Sequence, residues 1–177
     1  VIIATAGMAL FGFAAMYKVN PMILLSQWPA TKSILIGIGA LIIYKLASAV
    51  YFMLSGASSI TGFFFASTEN IEPIINTFGK GLSILIVGLI VPVYEEIIFR
   101  GVILDSTQRY LSFNAANIIQ SLIFAFAHMS LVLMPVYFLF GIFTGYLRKK
   151  SGGLLPGIVF HALNNIIVIL IFFALNR

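Results

Sequence analysis

The stretch VPVYEEIIFRG, residues 91–101, sets two adjacent glutamates and an arginine inside a run that otherwise reads as apolar helix. Its flanks decide what kind of helix this is. Residues 82–108 are dominated by Leu, Ile, Val and Gly, and at 1.5 Å per residue such a run can cross a hydrocarbon core of about 30 Å. An ionisable side chain at that depth costs several kcal/mol unless it is paired or meets buried water, so Glu95, Glu96 and Arg100 are candidate functional residues.

The rest of the chain has the same character. Its 177 residues are 61% hydrophobic and 8% charged, and the mean hydropathy of +1.11 excludes an ordinary soluble domain. Apolar runs recur from end to end without a linker of biased composition, so residues 1–177 are read as one all-α domain. The expected fold is a polytopic transmembrane helical bundle of about six spanning helices with its active site buried in the bilayer. The helices are placed near 1–17, 33–55, 82–108, 114–133, 135–148 and 154–175. Two prolines and Asn20 break the segment 18–32, where Trp28 suits an interface position. The segment 55–81 is too polar in its second half to span and is expected to lie near the membrane surface.

The formal charge of +5 does not indicate nucleic acid, because the basic residues fall mainly at helix ends. Lys18 with Lys32, then Arg109, then Arg148 to Lys150 occupy alternate loops. That alternation places those loops in the cytoplasm, with Glu69 and Glu72 opposite. Lys45, in the middle of the second helix, is read as a snorkelling or paired lysine. The absence of cysteine removes disulfides, thiolate metal ligands and a cysteine nucleophile. GIFTG and GLLPG, each with glycines four apart, are read as close helix packing.

Spacing separates the two glutamates. Glu96 and Arg100 stand four apart with the acid nearer the N-terminus, the favourable orientation for an ion pair on one helix face. Glu95 points about 100° away and is left for chemistry. His128 and the pair His161 and Asn165 also break the apolar pattern, and the last two share a helix face. His161 lies roughly 11 Å from the end of its helix and Glu95 and His128 about 20 Å from theirs, so all can reach one cavity. Pro92 frees a backbone carbonyl beside that cavity and favours a kink. Singly, His128 and Asn165 are ordinary packing residues; the coincidence of depth is what joins them to the glutamates.

The three groups fit EExxxR (residues 95–100), FxxxH (124–128) and HxxxN (161–165), in that order on separate hydrophobic helices. Over about residues 85–170 the chain thereby resembles the CPBP group of intramembrane proteases, the type II CAAX prenyl endopeptidase and bacteriocin-processing or immunity family. The resemblance implies glutamate-dependent hydrolysis of a peptide bond inside the membrane. Position by position, it implies that Glu95 with His128 activates a water, that His161 and Asn165 hold the oxyanion, and that Glu96 and Arg100 support the geometry. Desolvation makes a carboxylate a stronger base, and donors fixed on a helix suit a developing oxyanion, so the chemistry is coherent.

No cofactor is expected, and zinc is the open alternative: Glu95, His128 and His161 would be its ligands. The short HExxH spacing that presets a zinc site is absent. GxSG and a pair of helix-embedded aspartates are absent too. The implied partners are membrane lipids and a membrane-embedded or lipidated peptide substrate, with no nucleic acid. The expected location is a bacterial cell membrane, where processing of leader peptides, pheromones or bacteriocin-related peptides is expected ahead of CAAX maturation. Two other classes compete: a non-proteolytic membrane partner such as an immunity factor or sensor-kinase regulator, and a proton-coupled transporter. The first does not need the catalytic groups, all of which are retained here, and the second is disfavoured by the lack of an internal repeat.

Overall fold

The computed structural model describes residues 26–55 and 71–175. Taking the contiguous run Glu72–Thr107 as one helix, five helices are seen there: α1 (Ala30–Leu54), α2 (Glu72–Thr107), α3 (Phe113–Ala127), α4 (Met134–Ser151) and α5 (Leu155–Leu175). No strand occurs among the described residues. The chain is an all-α helical membrane bundle, as its hydropathy requires. The helix expected at 1–17 and most of the surface segment at 55–81 lie outside the described residues.

α1, α2 and α5 are long and apolar enough to cross a membrane, whereas α3 is a shorter apolar helix. α4 ends in Arg148, Lys149 and Lys150, which complement the negative end of its dipole. Gly152, at φ 68°, closes α4 by donating its N–H to the Arg148 carbonyl, a left-handed cap that glycine adopts without Cβ strain.

Two boundaries differ from expectation. α2 begins at Glu72 rather than near 82, with Pro73 in its first turn and a break at Gly79 (φ 73°, ψ 170°). Pro73 starts the helix early because a first-turn residue needs no N–H partner. α3 stops at Ala127, not near 133, with His128 as its C-terminal cap and Met129 in the left-handed region at φ 53°. Hydropathy stays high through residues 129–133, so the pattern held no stop signal before Pro135.

α2 is irregular where the glutamates sit. It widens to a five-residue hydrogen-bond spacing at Ile86–Ile90 and again at Ile97–Ile103, with Val91–Glu96 as ordinary α-helix between. Val91 N–H bonds the Ile86 carbonyl, so the next rung would join residue 92 to the Val87 carbonyl. Residue 92 is proline and cannot donate. Wide turns of this kind concentrate at functional sites.

α3 and α4 pack through a buried polar seam. Gln120 Nε2 donates to Asn117 Oδ1 (2.7 Å) and to the Gly141 carbonyl (2.9 Å), and Asn117 Nδ2 donates to the Ile142 carbonyl (3.0 Å). A Cβ at Gly145 would overlap the Asn117 amide, and one at Gly141 would meet Ser121 Cα at 2.8 Å. The GIFTG glycines therefore admit this contact. The second pair does not form such a face: Gly153 lies in the turn before α5, and only Gly157 is helical.

Candidate active site

α2 and α5 bring four of the six nominated side chains into contact. Arg100 Nη1 lies 3.0 Å from Glu96 Oε1, with the two side chains 0% and 1% exposed. The helical spacing alone sets this pair. His161, one turn after Gly157 on α5, presents Nδ1 to Glu96 Oε1 at 3.1 Å and Nε2 to Glu95 Oε2 at 3.6 Å. One imidazole therefore spans both glutamates. Among the described residues Glu95 Oε2 has no hydrogen-bond partner, and its side chain keeps 13% exposure, so it is the less enclosed of the two acids.

Arg100 is held by more than its carboxylate. Its guanidinium carbon sits 4.3 Å from the Phe124 ring centroid, with Phe99 and Phe140 at 5.8 and 5.9 Å. Stacking on aromatic faces stabilises a desolvated guanidinium. Its nitrogens make no aligned hydrogen bond, so the attraction to Glu96 at 3.0 Å is ionic rather than bidentate.

His128 approaches from the end of α3. Its Nδ1 is 2.8 Å from the Phe124 carbonyl. A carbonyl only accepts, so Nδ1 carries the hydrogen and Nε2 is the basic nitrogen of the neutral ring. The Phe124 ring lies 4.5 Å from the His128 ring and 6.0 Å from the His161 ring, which places His128 beside the same cluster. Asn165 is one turn beyond His161. Its Nδ2 donates to the Val87 carbonyl at 3.0 Å, occupying the rung that Pro92 leaves empty, while Asn164 Nδ2 donates to Asn165 Oδ1 at 3.2 Å. The carbonyl expected to be freed by Pro92 is thus answered by a side chain of α5.

Sequence reasoning missed three contributors. A Cβ on Gly157 would meet Glu96 Oε2 at 2.8 Å, so the missing side chain makes room for the carboxylate that reaches His161. Tyr137 stacks on His128 at 4.0 Å. Phe124 supplies both the face under Arg100 and the carbonyl on His128. For Gly157 a signal existed, a glycine one turn before the histidine, but it is indistinguishable from ordinary packing.

Gly157 gives a direct test of this close fit. Glu96 is held by Arg100 and His161 and has little freedom to yield, so Gly157→Ala is expected to cost about 1–3 kcal/mol of stability. Any activity should fall with it. Gly39, which has nothing within 4 Å of its would-be Cβ, is the control; thermal melting in detergent compares the two alanine variants.

For zinc, the nominated ligands are Glu95, His128 and His161. Among the described residues no three acidic or imidazole side chains converge as ligands for one ion. The arrangement does not fit a three-ligand zinc site, so the steps below use only the chain's own groups.

A buried ion pair, a spanning histidine and a second carboxylate meet within an apolar helical bundle. Residues 77–167 match the family model for type II CAAX prenyl endopeptidase Rce1-like proteins, and the chain belongs to this family. It is also similar to the membrane-embedded CAAX protease MroQ of Staphylococcus aureus (strain USA300), at 31% identity over 144 residues, which cover 77% of this chain and 56% of that protein. The chain thus spans a little over half the length of that relative. No solved structure matches it.

Proposed function

We propose that the chain is an intramembrane endopeptidase acting on a membrane-associated or lipidated peptide in a bacterial cell membrane. The observation that carries this reading is the contact of His161 with both glutamates, which leaves Glu95 as the carboxylate not tied to Arg100. Glu95, with His128, takes a proton from a water; the water oxygen bonds to the scissile carbonyl carbon, and the carbonyl oxygen becomes an oxyanion. His161, donating Nδ1–H to Glu96 and protonated at Nε2 as well, and the second amide hydrogen of Asn165 stabilise that oxyanion. The proton held by Glu95 passes to the amide nitrogen as the C–N bond breaks, giving a carboxylic acid and an amine, the acid then losing its proton to water. Arg100 neutralises Glu96, so the orienting carboxylate persists in a low dielectric.

The family description and the relative's name point to a CAAX peptide, and the apolar helices around the site to a membrane-embedded peptide. The test reconstitutes the protein in liposomes with an internally quenched farnesylated CAAX peptide and, separately, an internally quenched transmembrane peptide without lipid. Cleavage of either, resistant to chelator and confirmed by the mass of the products, is expected. Absence of cleavage of both by folded protein overturns the reading, and chelator-sensitive cleavage with stoichiometric zinc overturns the metal-free mechanism.

A further inference from the structure

We propose that Tyr137 is a positioning residue for His128, holding the imidazole from α4 so that its Nε2 addresses Glu95. The proposal rests on the protease reading for its catalytic consequence, but its geometric content stands apart. His128 lies just past the last residue of α3, where the helix no longer confines a side chain, and the next residue, Met129, is left-handed and 92% exposed. The helical repeat therefore no longer sets the direction of the ring.

Contacts from α3 and α4 orient it. The Phe124 carbonyl accepts from Nδ1 at 2.8 Å, which pins one edge of the imidazole. The Tyr137 ring lies nearly parallel on the imidazole, 27° between planes at 4.0 Å between centroids. Phe124 meets the same ring at 4.5 Å and 54°. A hydrogen bond at one edge and a parallel face define the ring plane, which is what a base needs if its second nitrogen is to meet a water. The Phe124 ring against His128 also lies 6.0 Å from the His161 ring, so the stacked pair borders the same cluster. Tyr137 follows Pro135 in the first turn of α4, at the position whose N–H bonds the Leu133 carbonyl. Its backbone is thus anchored next to the turn it has to hold.

The chain has only two histidines, so 15N-histidine labelling reports each ring by NMR. Wild type and Tyr137→Phe are expected to show one fixed neutral tautomer for His128, with hydrogen on Nδ1. Tyr137→Leu and Tyr137→Met are expected to average that signal while leaving His161 unchanged. On the better of the two quenched peptides, Tyr137→Leu should lower kcat about 10- to 100-fold at constant KM, with Tyr137→Phe close to wild type. In a His128→Ala background, Tyr137→Leu should cost nothing further. Unchanged His128 signals in both aliphatic variants overturn the proposal, as does an additive loss of kcat in the double variant. If wild type cleaves neither peptide, the protease reading fails while the NMR arm still decides the positioning.

Discussion

Glu95→Gln is expected to lower kcat by about 10²–10⁴-fold, the range over which a positioned general base contributes, and to leave the protein folded. Glutamine keeps the size and shape of the side chain and removes only its capacity to take a proton. The fold does not depend on the lost charge. Among the described residues Glu95 Oε2 makes no hydrogen bond, and His161 Nε2 stands 3.6 Å away. His161 retains its shorter contact to Glu96 at 3.1 Å. Cleavage of the quenched peptides, read beside thermal melting in the same detergent, checks both halves. Wild-type cleavage by the glutamine variant would remove Glu95 from the chemistry.

Arg100→Ala is expected to behave in the opposite way. The ion pair with Glu96 is fully buried, and deleting one member strands a charge in low dielectric, at about 3–5 kcal/mol. The stacking on Phe124 at 4.3 Å is lost as well, and so is the volume of the largest fully buried side chain. The variant should melt markedly earlier or fail to accumulate. Replacing both members, with Glu96→Leu and Arg100→Met, should recover much of that stability because no charge is left unpaired. Activity should stay lost, since His161 has then lost the carboxylate that orients Nδ1. Equal stability of Arg100→Ala and Glu95→Gln would contradict this division of labour between adjacent helical residues.

The contrast between the two variants rests on features of different origin. Glu96 and Arg100 meet because they stand four apart on one helix, so their contact could be read directly from EEIIFR. Residues 161–165 are equally local, yet they do not act as a matched pair: His161 turns to the two glutamates and Asn165 donates to the Val87 carbonyl. The motif spacing indicated a shared face but not what that face would meet. The end of α3 was illegible for a related reason. Residues 129–133 are as apolar as the helix before them, and only the backbone at Met129 shows where the chain turns.

Sequence alone determined the membrane bundle, the placement of the polar groups on separate apolar helices, and the pairing of Glu96 with Arg100. Each follows from hydropathy over one span or from the 3.6-residue period. Tertiary packing alone decided that His161 spans Glu95 and Glu96, that Asn165 fills the rung left by Pro92, and that Tyr137 lies on His128. The physical reason is sequence separation: Glu96 and His161 are 65 residues apart. Their contact requires α5 to approach α2 closely enough that any Cβ at Gly157 would strike the carboxylate.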